Sequence, residues 1–442
     1  MPDNVILQGS SLSKNILPQA TAKPKVTLQG TFNNQSASFN LDEDVLSKHT
    51  LFVGGTGCGK SNLFYHFVKQ LKASMDVSDV MIIFDSKGDF YDKFPPSDKD
   101  IVVGNSELYK SKSARWNVFK EVLADGWEDK TVAINTQEIC KAFFEERVSK
   151  NSSNPFFPNA ARDVLASVVI AMVRRAVINK DFPKACFYNN VLKNDFLDSL
   201  STAELVHITA GQHLDLKKIE TYIGGKGKQA EGVMAELYSV IGDIFVGVFA
   251  EKGNFGVRNF VRQKGGKTLF IEYDLSSGST LCPIYTLLFD LALKEAMGRT
   301  QSNGNVYLIV DELKLLPRLQ HIDDGINFGR SLGVKILAGL QSIEQLYADY
   351  EEADAKNIIS GFSSIYAFRA NDPKTREYVR DLFGENIVME RYQGTDRMLR
   401  DAMPRNGHTV EDWDLRRLQT GEAVVGLPNA EPFKFLFSLY RG

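Results

Sequence analysis

Short, continuously apolar runs alternate with helix-spaced segments over most of this chain. Thr50-Leu-Phe-Val runs into a glycine-rich loop, and Leu63, Phe64, Phe67 and Leu71 then recur at the spacing of an amphipathic helix. A second buried-strand pattern, Val80-Met-Ile-Ile-Phe, ends in Asp85-Ser-Lys-Gly. Strand patterns return at Thr268 to Tyr273, Val306 to Val310, Val334 to Leu340 and Ser364 to Phe368, with helical spacing at 281–297, 321–332, 342–350 and 373–383. Fully apolar strands separated by helices predict an α/β fold with a mainly parallel sheet.

Between 131 and 248 the strand patterns stop. Asn159 to Ile178 is apolar on nearly every side, with Pro158 and Asn159 placed to start a helix, and helical spacing continues at 189–199, 202–210 and 229–246. An inserted all-α domain is expected there. At the chain ends the period shortens to two. Val26 to Phe32 and Ser36 to Leu41 flank Asn33-Asn34 as a hairpin, and Glu422 to Leu427 with Phe433 to Phe437 reads as a closing hairpin. The expected organisation is an arm and hairpin over 1–45, the first part of a nucleotide-binding core over 46–130, the insert over 131–248, and the rest of the core over 249–442, with 1–24 as a loose arm.

Composition changes this picture little. Apolar residues at 43% and charged residues at 24% exclude a disordered tail or a coiled-coil rod as a description of the whole. Lys plus Arg, 52, nearly balances Asp plus Glu, 55, so the chain is no simple polycation, although local basic patches remain compatible with that total. Cys58, Cys140, Cys186 and Cys282 are scattered, which argues against zinc ribbons and disulfide scaffolds. The most apolar run, Val164 to Val173, falls short of the roughly 20 residues that span a bilayer. The start of the chain lacks the basic-then-apolar layout of a signal peptide. A soluble, cytoplasmic protein is expected.

The chemistry sits in the loop after Val53. Gly54, Gly55, Thr56, Gly57, Cys58, Gly59, Lys60 and Ser61 fit G-x-x-x-x-G-K-[ST], the Walker A phosphate loop, between a strand and a helix that continues through Asn62. Glycines let backbone N–H groups curl around phosphate oxygens. Lys60 would reach the β and γ phosphates, and the Ser61 hydroxyl would ligate Mg²⁺. Val306 to Val310 then delivers Asp311 and Glu312 at a strand end, the Walker B pattern. Asp311 would hold the metal shell and Glu312 would orient the attacking water. An acidic turn alone would read as solvated surface; beside a phosphate loop it reads as hydrolytic machinery.

About 250 residues lie between Lys60 and Asp311, too many for a compact nucleotide kinase or small GTPase, and no guanine-reading N-K-x-D follows Glu312. ATP is the expected nucleotide. Gln341, at the end of the strand 335–340, is placed to sense a γ-phosphate. Arg330 is a candidate arginine finger, a role that a neighbouring subunit can supply. For both, an ordinary surface or capping residue is the alternative. Cys58 reads as a small residue tolerated in the loop rather than a redox switch.

Four stretches resemble the coupling-protein ATPases of conjugative DNA transfer and type IV secretion, the TraG/TraD-like group, and more distantly the FtsK and HerA translocases. They are His49 to Ser61; Phe84-Asp-Ser-Lys-Gly-Asp-Phe, with Ser86 where the group has proline; Ile309-Val-Asp-Glu-Leu-Lys-Leu-Leu-Pro; and Asp323 to Glu385, with its Gly329-Arg-Ser-Leu-Gly-Val, Gly339-Leu-Gln-Ser and Asn371-Asp-Pro elements. The likeness covers about 45–440. It implies a RecA-like P-loop ATPase core carrying an all-α domain and a homo-oligomeric ring, commonly a hexamer. It also implies ATP and Mg²⁺ as cofactors, with Lys60, Asp311, Glu312, Gln341 and Arg330 in the roles above and Arg330 acting across a subunit boundary. Members typically carry N-terminal transmembrane helices, and none is read in this chain. Recruitment to the inner face of the membrane by a separate anchored partner is the corresponding expectation.

Cargo contact is sought in basic segments. Glu251 to Lys267 holds Lys252, Arg258, Arg262, Lys264 and Lys267 against Glu251 alone, with Phe255 and Phe260 between them, a composition suited to DNA phosphates and base stacking. A second patch, Lys217, Lys218, Lys226 and Lys228, surrounds Gly224-Gly225. Arginines from Arg397 to Arg417 are offset by acids and read as surface or subunit interface. The function expected is translocation of DNA, single- or double-stranded, or of a nucleoprotein. The alternatives are a HerA- or FtsK-like motor in DNA processing or defence, and a nucleotide-gated docking adaptor with little turnover, which the presence of Glu312 disfavours.

Overall fold

A computed structural model of the chain describes residues 5–14, 17–19, 23–151, 153–179, 188–197, 201–225, 227–298, 304–391 and 402–442. Cys186, Lys226, Arg397 and Arg400 lie outside these residues. The chain forms two compact units, one of residues 1–83, 89–95 and 296–442, the other of 84–88 and 96–295. In chain order the strands are β1 Val5–Gly9, β2 Val26–Phe32, β3 Gln35–Leu41, β4 Thr50–Val53, β5 Val80–Asp85, β6 Ile101–Val103 and β7 Lys267–Glu272. They continue with β8 Val306–Val310, β9 Val334–Leu340, β10 Ser364–Phe368, β11 Glu385–Arg391, β12 Ala402–His408, β13 Glu422–Gly426 and β14 Phe433–Phe437.

The first unit is built on a sheet in the order β3-β2-β14-β13-β10-β4-β9-β8-β5. β10, β4, β9 and β8 pair in parallel. Every residue of these four strands is buried, which is why they read as largely apolar runs rather than as alternation. The parallel register brings the C-terminal ends of β4, β8, β9 and β10 to one edge, and the functional residues gather there.

Beyond β10 the sheet turns antiparallel, and the two terminal hairpins become one structure. Asn33 and Asn34 take φ of 50° and 63°, the left-handed pair that a two-residue hairpin turn needs. β14 then pairs with β2, Leu436 opposite Thr31 and Phe437 opposite Gly30. Gly30 permits this approach, because a Cβ there would lie 2.1 Å from the Leu436 carbonyl oxygen. Phe39 closes the seam edge-on against Phe433 and Phe435, at 5.2 and 5.0 Å.

A second, three-stranded antiparallel sheet, β1-β11-β12, was not anticipated. Part of the expected loose arm is therefore a strand, Val5–Gly9, paired to β11. The Ala-Met-Pro-Arg-Asn-Gly-His run of β12 has no apolar alternation to announce it, and a backbone ladder holds it to β11.

His49 opens β4 with φ of 57°, is 1% exposed, and accepts a 3.1 Å hydrogen bond at Nδ1 from the Ile336 N–H. Burial holds the ring's pKa down to about 4, so it stays neutral in the folded chain while the unfolded chain takes up a proton near pH 6.5. A depressed folded pKa in a base means that stability is full above the unfolded value and is lost as pH falls toward 4. Between pH 7 and pH 5 the loss from this one group is about 2 kcal/mol. His49→Asn keeps an acceptor and tolerates the left-handed backbone. Denaturant unfolding at the two pH values should show the variant losing less stability than wild type; equal losses would exclude this role.

In the second unit β6 and β7 pair in parallel, and the described residues of 131–248 contain helices and no strand. The unit also takes in 96–130 and 249–295, so it is wider than the helical segment read from the sequence. Its central helix, Phe156–Ile178, begins before Asn159 because Pro158 is tolerated in a first helical turn. At 23 residues it is long and apolar enough to cross a membrane by length and composition, longer than the ten-residue run suggested, but 72% of its apolar window is buried inside the unit. It is a core helix, packed against Asp129–Lys150 and Lys228–Ile244.

Candidate functional site

The loop from Gly54 to Gly59 links β4 to the helix Lys60–Ser74. Gly59 has φ of 108°, and a Cβ there would come within 2.8 Å of the Gly421 nitrogen, which itself donates to the Cys58 carbonyl at 2.8 Å. Only glycine fits. The first helical hydrogen bond runs from the Leu63 N–H to Gly59, so the N–H groups of Lys60, Ser61 and Asn62 lie in the unsatisfied first turn. A Cβ at Gly57 would meet nothing within 4 Å, which leaves the crown of the loop open.

Lys60 is 8% exposed, and its ammonium donates to the carbonyls of Gly54 and Gly55 at 2.5 and 3.2 Å. A buried cation resting on neutral carbonyls suits an anion. Ser61 Oγ donates to Asp311 Oδ2 at 2.6 Å, joining the loop helix to the end of β8. A hydroxyl and a carboxylate at this spacing are hard oxygen donors of the kind Mg²⁺ takes. At the end of β9, Gln341 Nε2 donates to Glu312 Oε2 at 2.6 Å, while Thr56 Oγ1 donates to Gln341 Oε1 at 3.1 Å. Gln341 therefore bridges the phosphate loop and the second acidic residue. Burial pushes the Cys58 thiol pKa up, which fits an inert packing role.

The side chain of Asn62, expected at the nucleotide, is turned elsewhere. Its Nδ2 donates to the Ser438 carbonyl at 3.1 Å and its Oδ1 accepts from the Tyr440 N–H at 2.7 Å, clamping the segment after β14 to the loop helix. His66 adds a 2.9 Å bond to the same Ser438 carbonyl.

Arg330 stands apart from these residues. It lies just before β9, and its Nη2 pairs with Asp44 Oδ1 at 2.9 Å, both side chains more than half exposed. Asp44 precedes β4 as Arg330 precedes β9, and the two strands are parallel. The arginine is therefore at the edge opposite its own phosphate loop, about 20 Å away along β9.

The basic segment after Glu251 does not form one surface. Arg258 is 5% exposed and pairs with Asp125 at 2.7 Å and Glu295 at 3.1 Å. Arg262 pairs with Glu295 at 2.6 Å and with Asp125. Sequence-distant carboxylates neutralise both, and Arg258, buried in these pairs, is not available as a phosphate contact. Phe260 is buried and unavailable for base stacking. Lys267 lies over its ring at 4.4 Å, with burial holding the ammonium below the usual lysine range. Lys264 is half-buried, whereas Lys252 is exposed, its Nζ 4.6 Å from the Tyr188 ring. In the second patch Lys217, Lys218 and Lys228 all face solvent.

Sequence reasoning missed the connection between its two most distinctive elements. Ser342 Oγ donates to Asp372 Oδ2 at 2.9 Å, and Asp372 caps the helix Pro373–Phe383 through the Lys374 and Thr375 N–H groups. Leu-Gln-Ser and Asn-Asp-Pro are thus one structural unit beside Gln341. The Asp-Pro pair is itself a helix-start signal that could have shown it.

A parallel sheet with a phosphate loop after a central strand, an acidic pair at the end of a neighbouring strand and an all-α segment in the same chain define a RecA-like P-loop core carrying an all-α domain. Residues 34–428 match the family described as type IV secretion-system coupling protein DNA-binding domain, and the chain belongs to that family. It is 23% identical over 391 residues to the coupling protein TraD of Escherichia coli (strain K12), covering 85% of this chain and 49% of TraD, so it spans about half the length of that relative. It also resembles the plasmid coupling protein TrwB in complex with the non-hydrolysable ATP analogue ADPNP, with a TM-score of 0.73, 20% identity, and coverage of 100% of this chain and 96% of the solved TrwB chain. TrwB in complex with ADP and Mg²⁺ gives a TM-score of 0.69 at 21% identity, covering 99% and 95%.

Proposed function

We propose that this chain is an ATP-hydrolysing motor that moves DNA, or a DNA–protein substrate, as a coupling component of conjugative transfer or type IV secretion. The observation that carries the reading is the closed set of contacts across three strand ends, Ser61 to Asp311 and Thr56 to Gln341 to Glu312. The loop N–H groups and Lys60 bind the phosphates. Ser61 and Asp311 would hold Mg²⁺, which when bound would supply positive charge against the charge that develops in phosphoryl transfer. Glu312 orients the attacking water and takes up its proton, while Gln341 holds the Glu312 carboxylate and ties its position to Thr56 in the loop. TrwB structures with an ATP analogue and with ADP and Mg²⁺ support this choice of nucleotide and ion.

Arg330 acts on the neighbouring copy in a ring, commonly a hexamer, since its place at the far edge of the sheet puts it out of reach of its own loop. DNA is the partner in keeping with the family description. The contact surface includes Lys217, Lys218, Lys228 and Lys252, which stay exposed where Arg258 and Arg262 do not. The motor works at the cytoplasmic face of the membrane beside an anchored secretion partner.

ATP turnover measured with no DNA, single-stranded DNA and duplex DNA, at about 50 and 200 mM salt, tests this. Stimulation by one form of DNA that weakens with salt is expected. Turnover indifferent to both forms at both salt concentrations would refute a DNA motor.

A further inference from the structure

β10 lies beside β4 with Ala367 opposite Val53, so the chain leaves β10 where the phosphate loop leaves β4. The residue at that exit is Arg369. Its carbonyl accepts a 2.8 Å hydrogen bond from the Gly55 N–H, and a Cβ on Gly54 would come within 2.7 Å of Phe368 Cβ. Its backbone is thus part of the wall of the loop.

The surrounding backbone is held on both sides. Arg376 donates to the carbonyls of Ala370 and Asn371 and pairs with Asp412, while Asp372 is bound by Ser342 and Thr375. Arg376 is therefore committed; Arg369 is not. Arg369 is half-buried, and among the described residues its guanidinium makes no hydrogen bond and no ion pair. Burial pushes the Cys58 thiol up, and Lys60 and Arg369 are among the groups that oppose it, so the Arg369 charge is felt inside the loop.

A half-buried cation with five N–H donors normally has an anion to meet them. Among the described residues none is supplied, and the functional element against which Arg369 is bonded is a loop built for phosphate. We infer that Arg369 contacts the phosphate chain of the bound nucleotide in cis, as a second cation beside Lys60. This rests on the reading of residues 54–61 as a nucleotide site. The fork of the guanidinium suits two phosphate oxygens at once, which an ammonium cannot match.

The test is equilibrium binding of fluorescent ATP and ADP derivatives to the full chain. Arg369→Ala keeps the carbonyl that holds Gly55, and Arg369→Met also keeps the aliphatic stem should the alanine variant unfold. Either is expected to weaken ATP binding by about 10- to 100-fold, the range of a charged hydrogen bond, with Arg369→Lys recovering part of the loss. Weakening for ATP alone would place the contact at the γ-phosphate, and weakening for both nucleotides would place it nearer the nucleoside. Unchanged binding of both by folded Arg369→Met, while Lys60→Ala loses binding, would overturn the inference and leave the site standing. Wild-type binding by Lys60→Ala would instead overturn the site itself.

Discussion

Glu312→Gln is expected to bind ATP as wild type does and to release phosphate at least about a hundredfold more slowly, the scale of losing a positioned general base. The geometry makes this a sharp substitution. Glu312 Oε2 accepts from Gln341 Nε2 at 2.6 Å, and a glutamine at 312 can still offer an oxygen there. The link from Gln341 to Thr56 in the phosphate loop is untouched. What disappears is the negative charge and the capacity to take a proton from water. Steady-state phosphate release, measured beside nucleotide binding on the same preparation, separates the two effects. Undiminished release would remove Glu312 from the chemistry.

Arg330→Ala should be equally inactive, for a reason that can be separated by mixing. Arg330 sits before β9 and the phosphate loop follows β4, its parallel neighbour, so the two lie at opposite strand ends of one copy. Its pair with Asp44 joins two side chains more than half exposed and is worth little, so a better anion can displace it. In a ring each hydrolytic centre would take Glu312 from one copy and Arg330 from the next. Mixing Arg330→Ala with Glu312→Gln leaves about a quarter of randomly formed interfaces with both wild-type groups, given head-to-tail contacts. Activity should recover toward that fraction. Assemblies shown by two affinity tags to be mixed, yet inactive, would rule out an arginine supplied in trans.

Much of this site was legible because its parts are local. The phosphate loop needs a strand, glycines and a helix within about fifteen residues, and all were readable from 50 to 64. Asp311-Glu312 could be read because β8 is buried on both faces and stops abruptly at charge. The misses are long-range. Asn62 is adjacent to the loop in sequence, but its side chain is claimed by Ser438 and Tyr440 at the other end of the chain. Arg258 and Arg262 look like a basic patch until Asp125 and Glu295 fold against them.

The fold shows the same division. Two hairpins were evident from their alternation, yet nothing in either shows that β14 pairs with β2. That contact depends on Gly30 having no side chain to obstruct Leu436. β1 and β12 went unseen because they are held by backbone pairing in a sheet with few buried side chains, and apolar alternation is the signal that makes a strand visible.

In the proposed function, hydrolysis at this site moves the protein along DNA. The most direct measurement is displacement of a block, either streptavidin from an end-biotinylated single strand or a third strand from a duplex. It is followed with ATP, with a non-hydrolysable analogue, and with Glu312→Gln. Displacement by the wild-type chain that requires ATP and is absent with the analogue and the variant is the predicted result. ATP hydrolysis that proceeds on DNA while neither block is displaced would contradict a translocating motor.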